Sequence, residues 1–270
     1  MPELPEVETV RRSLERLIVG CLIAEVNVRE PRLRKPLAPH FAAALAGRTV
    51  QSIGRRGKYL NIELDNGQIW LVHLGMTGQL IVSNPQEPLR KHDHIVVTLG
   101  DKRSLRYNDT RRFGLMAIDE EAEIETLMGL GVEPLTASFS ARYLWDKVQH
   151  TQRTVKDVIM DQRVVAGVGN IYASELLFRA KVQPGRLTRT LEQAATARIV
   201  TATKAVLREA IAHRGSSISD YLDGEGQPGS FQQRFRVYDQ EGKPCRFCAT
   251  PILRETHGGR SSFFCPTCQA

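Results

Sequence analysis

Apolar residues at Val7, Val10, Leu14, Leu17 and Ile18 fall three or four apart, the spacing of one helical face. Pro5 suits the first helical position, Glu6 and Glu8 suit the positive end of the helix dipole, and Gly20 can end the helix. A helix is therefore expected directly behind Met1 to Leu4, anchoring the N-terminus. The period then changes to two. Leu60, Ile62 and Leu64 alternate with polar residues, Asn66-Gly67 signals a hairpin turn, and Ile69, Leu71 and His73 continue beyond it. His94 to Leu99 and Ser104 to Tyr107, joined across Gly100-Asp101, predict a second hairpin, so residues 21–118 read as an all-β sandwich or barrel. The character shifts near Gly131-Val132-Glu133-Pro134. Residues 140–214 read as mostly helical, with a long helix from about Leu191 to His213 whose apolar face carries Ala194, Ala202, Val206 and Ala210. Residues 215–230 hold four glycines and Pro228 and predict a mobile loop; Phe231 to Tyr238 predict a strand.

Length and composition narrow this picture. The chain has 270 residues, enough for two domains with separate cores, and 41% hydrophobic residues, as a globular protein has. A net charge of +7 and a pI near 9.3 favour a polyanionic partner such as nucleic acid, although many basic proteins bind none. Residues 1–20 carry Glu3, Glu6, Glu8, Arg11, Arg12, Glu15 and Arg16, which excludes a signal-peptide core there. No stretch reaches the roughly 18 apolar residues of a membrane span. A soluble intracellular protein is expected.

Four segments carry candidate chemistry. Cys245-Arg-Phe-Cys248 and Cys265-Pro-Thr-Cys268 are two Cys-x-x-Cys pairs 16 residues apart; each pair can grip one side of a tetrahedral zinc ion, and four thiolates close its shell. Such a closed site is structural. Cys21 stands apart and reads as a buried apolar residue. Lys243, Arg246, Arg254 and Arg260 surround the cysteines, either facing phosphates or simply solvated. In Ala166-Gly-Val-Gly-Asn-Ile-Tyr-Ala-Ser-Glu175 two glycines permit a tight turn and Asn170 can cap the helix behind it. That makes either a phosphate seat or an ordinary helix corner. At the N-terminus, Met1-Pro2-Glu3-Leu4-Pro5-Glu6 would leave Pro2 as a free secondary amine once Met1 is removed. An α-amine of pKa about 7.7–8.0 keeps a neutral fraction near pH 7 and can form an iminium, with Glu3 beside it as an acid/base. Otherwise the prolines only stiffen the helix entrance. Finally, Lys58, Met76, Arg111, Arg112 and Phe113 mix cations with apolar side chains in turns, as a protein holding open a kinked duplex requires, or else Met76 and Phe113 belong to the core.

Taken together, these segments resemble one family, the bacterial formamidopyrimidine-DNA glycosylases. The resemblance spans the whole chain, from Met1-Pro2-Glu3-Leu4-Pro5-Glu6-Val7-Glu8-Thr9 through the glycine turn to the terminal cysteines. Leu4 stands where the sister endonuclease VIII group has glycine, which favours the oxidised-purine branch. The resemblance implies that Pro2 attacks C1′ of a damaged nucleotide, that Glu3 protonates the sugar ring oxygen, that Lys58 transfers protons and touches phosphate, and that Arg260 clamps the phosphates flanking the lesion. It implies further DNA contacts at His92, Arg111, Asn170, Lys156, Arg153 and His73, with Met76, Arg111 and Phe113 filling the gap left by an extruded base. Some relatives have a lysine-rich run where this chain has Thr151-Gln152-Arg153-Thr154-Val155-Lys156, so a contact at Thr151 is not carried over.

The implied fold is α+β with two domains. Residues 1–132 would form a catalytic β-sandwich with a leading helix. Residues 133–230 would form a helical helix–two-turn–helix domain with a lid loop, and residues 231–270 a zinc finger. The implied function is base-excision repair: removal of 8-oxoguanine and formamidopyrimidines from duplex DNA and strand nicking by β,δ-elimination through a Pro2 Schiff base. One structural zinc, a duplex-DNA partner, a monomeric state and a bacterial, nucleoid-associated cytoplasmic location complete the expectation. Two rivals are a non-catalytic DNA-binding protein, which leaves the N-terminal string unexplained, and an N-terminal-proline enzyme of small carbonyl compounds, which needs no zinc element.

Overall fold

In the computed structural model, which describes residues 2–119, 121–218 and 220–270, the helical pattern of the first residues becomes α1 (Leu4–Ile18). Leu4, Val7, Val10, Leu14 and Ile18 are all buried on one face. β1 (Ile23–Val28), the short α2 (Phe41–Leu45), β2 (Val50–Arg56), β3 (Tyr59–Leu64), β4 (Ile69–His73), β5 (Gln79–Ser83), β6 (Asp93–Leu99), β7 (Ser104–Asn108), β8 (Leu115–Ile118) and α3 (Glu121–Met128) follow. The strands form two antiparallel four-stranded sheets, β1-β6-β7-β5 and β2-β3-β4-β8. One core takes in buried residues of both sheets and of α1, which makes the sandwich. Asn66-Gly67 turns the β3–β4 hairpin with Gly67 at φ +82°. Its register sets Ile62 against Trp70 and Leu60 against Val72. The core side of β4 is therefore Trp70 and Val72; Ile69, one residue out of phase, pairs with Glu63 and is exposed.

The chain divides into two compact units: residues 1–128 with 213–230, and residues 129–212 with 231–270. Residues 213–230 thus group with the sandwich, although the sequence placed them with the helices. Nor are they a free loop. Gly224 N–H donates to Ser13 Oγ at 2.9 Å, Val82 N–H donates to Gly224 O at 3.0 Å, and Tyr221 O–H donates to Glu6 O at 3.2 Å. Buried Asp223 accepts from the amides of Glu225 and Gln227, both at 2.9 Å, and pairs with Arg214. The glycines serve tight bends in a strap; Ser219 lies outside the described residues.

The second unit holds α4 (Ala141–Val148), α5 (Val155–Met160), α6 (Asn170–Ala180) and α7 (Gln193–Ala212), and a hairpin of β9 (Leu253–His257) and β10 (Arg260–Phe264). Ala195 rather than Ala194 faces inward on α7. The strand expected over Phe231–Tyr238 is absent. Phe231–Arg234 is a short 3₁₀ turn, and the amides of Arg236, Val237 and Tyr238 go to the buried carboxylate of Glu175 at 2.9–3.0 Å instead of to a strand. Rings step along this segment, with centroids 5.8 Å apart for Tyr172–Phe231, 6.0 Å for Phe231–Phe235, 5.4 Å for Phe235–Tyr238 and 5.2 Å for Tyr238–Phe263. This apolar ladder leads from α6 into the cysteine element.

Candidate active site and nucleic-acid interface

Pro2 and Glu3 are both buried at the head of α1, and Met1 lies outside the described residues. Glu3 is the N-cap, in extended conformation. Its amide donates to Glu6 Oε2 at 2.9 Å, and its carbonyl accepts from Val7 N–H at 3.0 Å. The other oxygen of Glu6 accepts from Ser216 N–H at 2.7 Å, so one carboxylate joins the residue after Pro2 to the strap. Lys58 is buried in the two-residue turn between β2 and β3, where Gly57 adopts φ +55°. His73, half-buried at the end of β4, packs against Tyr59 with the rings tilted by 56° and centroids 4.7 Å apart, and its Nδ1 accepts from Gly75 N–H at 3.0 Å. Burial, then the charges of Lys58 and Arg34, hold His73 down to about 4, so its ring is neutral near pH 7.

Met76 and Phe113 do not join the core; they are 39% and 44% exposed. The Arg111 guanidinium lies 4.6 Å from the Phe113 ring centroid. What assembles these two turns is a residue that sequence reasoning missed. Asp109, fully buried, accepts from Thr77 Oγ1 at 2.5 Å, from Tyr107 O–H at 2.9 Å and from Gly114 N–H at 2.8 Å. The turns touch closely: a Cβ on Gly75 would lie 2.4 Å from the Phe113 backbone, and one on Gly114 would lie 1.7 Å from the Tyr107 hydroxyl. Half-buried His92 joins the same cluster, its carbonyl accepting from Asp109 N–H at 3.1 Å. No spacing signal marks Asp109 in Tyr107-Asn-Asp-Thr-Arg-Arg112; its role depends on residues 32 positions away.

Within the second unit, Gly167 at φ +86° makes the tight turn ahead of α6, shaped by Gln162, whose Oε1 accepts from Gly167 N–H at 2.8 Å. Gly169, not Asn170, is the N-cap. Asn170 is the first helical residue, and its Oδ1 is buried without a hydrogen-bond donor among the described residues. Arg153 is exposed but tied down, pairing with Asp161 at 2.8 Å and donating to Asp157 O at 2.8 Å. Burial works to raise the Asp161 pKa, yet Arg163 and Arg153 outweigh it and pull that carboxyl down to about 2. Lys156 departs furthest from expectation. It is 1% exposed, and its Nζ donates to Ser261 O and Ser262 Oγ, both at 2.7 Å. An ammonium so placed is shielded from solvent. Arg260 is exposed at the start of β10.

The ligand atoms of Cys245, Cys248, Cys265 and Cys268 all lie within 4.8 Å of one another, with Sγ–Sγ separations of 3.9, 3.4 and 3.5 Å for the pairs 245–268, 248–265 and 248–268. Tetrahedral zinc with bonds of about 2.3 Å needs sulfurs roughly 3.8 Å apart. The four thiols fit one structural Zn²⁺ and leave no position for substrate. Cys21, by contrast, is half-buried rather than buried, its thiol directed at Leu17 O.

Residues 1–116 match the formamidopyrimidine-DNA glycosylase N-terminal domain, 130–221 the H2TH domain of the same enzymes, and 242–270 a zinc finger found in FPG and IleRS. The chain is 48% identical to the formamidopyrimidine-DNA glycosylase of Thiobacillus denitrificans over 270 residues, all of both chains. It belongs to the formamidopyrimidine-DNA glycosylase family. Among solved structures of this family, the Thermus thermophilus protein shares 40% identity at a TM-score of 0.88, covering 99% of this chain and 98% of that one. The Lactococcus lactis protein in complex with DNA containing an abasic site shares 33% identity at a TM-score of 0.91, covering 99% of both. No helix among the described residues is long and apolar enough to cross a membrane.

Proposed function

We propose that this chain, a base-excision-repair DNA glycosylase by family, works through the imino nitrogen of Pro2 after loss of Met1. Its partner is double-stranded DNA bearing 8-oxoguanine, formamidopyrimidines or abasic sites, bound by a monomer in the bacterial cytoplasm at the nucleoid. The observation that carries the reading is the fixed N-terminus: Pro2 and Glu3 are buried at a capped helix start, where Glu3 N–H is held by Glu6 at 2.9 Å. A nucleophile on a rigid element can be held at attack distance, whereas one on a fraying terminus cannot.

Flipping the damaged nucleotide out of the duplex costs a few kcal/mol. Met76, Arg111 and Phe113, presented together by Asp109, offset that cost by entering the gap. Pro2 then attacks C1′, the bond from C1′ to the base breaks, and Glu3 protonates the ring oxygen as the sugar opens to an iminium. Loss of the acidified C2′ proton expels the 3′ phosphate, and a second elimination expels the 5′ phosphate. Lys58, buried in the same unit, is the proton carrier. Neutral His73 beside it adds no competing charge. Asn170 and Arg260 contribute phosphate contacts from the second unit, with zinc holding the hairpin that bears Arg260.

Borohydride trapping on duplex containing 8-oxoguanine tests this reading, with the N-terminus verified by intact mass. Pro2→Gly should weaken the covalent adduct strongly while DNA affinity stays nearly intact. Full-speed nicking by protein that still carries Met1 would refute it.

A further inference from the structure

The β9–β10 hairpin presents Arg260 at its turn, and a two-stranded hairpin is at best marginally stable alone. One end of β10 is secured by the metal shell, since Cys265 follows Phe264 directly. The end that bears Arg260 needs a separate anchor, and the first turn of α5 supplies it. Lys156 Nζ donates to Ser261 O and Ser262 Oγ, the two residues after Arg260. The same Ser262 hydroxyl contacts His257 Nδ1 at 2.9 Å, tying β9 to β10 at this end. His257 lies against Gly185, where a Cβ would sit 2.5 Å from its Nε2. Gly258, at φ +54°, lies against Asp157, where a Cβ would sit 2.6 Å from Oδ1. Asp157 is itself fixed by Thr154 Oγ1 at 2.6 Å. Two successive residues of α5 therefore form a socket for the turn. Burying an ammonium is costly unless it is well hydrogen-bonded, and here its bonds go to the strand that carries Arg260.

We propose that Lys156 is a positioning residue that aims Arg260 by anchoring the near end of β10, and does not itself contact DNA. The proposal rests on the reading of Arg260 as a phosphate clamp. Each phosphate contact contributes about 0.9 to the slope of log affinity against log salt, so the slope counts contacts directly. Wild type, K156M, R260A and the double variant are compared on duplex with an abasic-site analogue, with kcat/KM measured on 8-oxoguanine duplex and zinc content measured for each. R260A should lower the slope by about 0.9. K156M should lower it by a similar amount and cost up to about 10²-fold in kcat/KM, the scale of a 1 Å misplacement. The double variant should match R260A within about threefold, because Lys156 has nothing left to aim. A slope loss of about 1.8 in the double variant would mean that Lys156 meets a phosphate itself, and the proposal falls while the reading of Arg260 stands. A silent R260A would overturn both. If K156M sheds zinc, Ser262→Ala decides: loss of one bond to the ammonium, together with the tie to His257, should cost about tenfold in kcat/KM with zinc retained, and unchanged activity would overturn the proposal.

Discussion

Asp109 offers the sharpest test of how the apolar wedge is held. Its carboxylate is fully buried and accepts from Thr77, Tyr107 and Gly114 at 2.5, 2.9 and 2.8 Å. Asp109→Ala leaves the Gly114 amide and the Tyr107 hydroxyl without that acceptor. Each buried group so orphaned costs about 1–3 kcal/mol, and the emptied volume adds about 1 kcal/mol, giving roughly 3–7 kcal/mol. That is a large share of the ~5–15 kcal/mol that holds a domain folded. Asp109→Asn keeps one acceptor, and its amide can donate to the Thr77 oxygen, which already accepts from Arg111 N–H at 3.2 Å, so the loss is the charge assistance and the Thr77 donor bond, about 1–2 kcal/mol. Urea midpoints should therefore fall in the order wild type, Asn, Ala. The loops bearing Met76, Arg111 and Phe113 should loosen in the same order. A 2-aminopurine beside the lesion reports their insertion, and its signal should weaken in step with stability. An alanine variant that loses less than about 1 kcal/mol, or keeps the full insertion signal, would refute the role given to this residue.

Cys248→Ser should lose zinc and DNA affinity together, the affinity by about tenfold or more for a lost charged contact; normal binding by zinc-free protein would contradict a hairpin organised by the metal. His73 has its folded-state pKa near 4, against about 6.5 unfolded. Between those values only the unfolded chain takes up the proton, so stability should fall as pH drops through that window, by at most about 3 kcal/mol. His73→Asn should flatten the urea midpoint's pH dependence, and parallel profiles would count against the assignment. Glu175→Ala strips the amides of Arg236, Val237 and Tyr238 of their acceptor; hydrogen exchange there should speed up, with partial recovery in Glu175→Gln.

Local periodicity carried much of the fold. The 3–4 spacing marked α1, and Asn66-Gly67 with the alternation of β3 marked a hairpin, because both are set by neighbours in sequence. What failed was fixed by partners far along the chain. Phe231 to Tyr238 look strand-like, yet their amides are claimed by Glu175, about sixty positions earlier. Residues 215–230 look like a loose loop because glycine and serine are ambiguous; Ser13, Glu6 and Val82 turn them into a strap. At the site, the cysteine spacing was sufficient for zinc, since ligand geometry is encoded in it. Lys156 reads as a phosphate contact because a basic residue in a basic chain suggests one; its burial and its bond to the hairpin are set by a partner 105 positions away.

The strap also sets the order of events during synthesis. The sandwich unit is discontinuous, built from residues 1–128 and 213–230 with the helical unit's first segment between them. A nascent chain that has emerged only as far as Met128 lacks the acceptor at Gly224 for Val82 and the hydroxyl of Tyr221 beside Glu6. At about 10 residues per second the ribosome needs roughly ten seconds more to deliver them. Throughout that interval the start of α1, with Pro2 and Glu3, is without its clasp, and any chaperone that holds the unfinished unit meets it in that state.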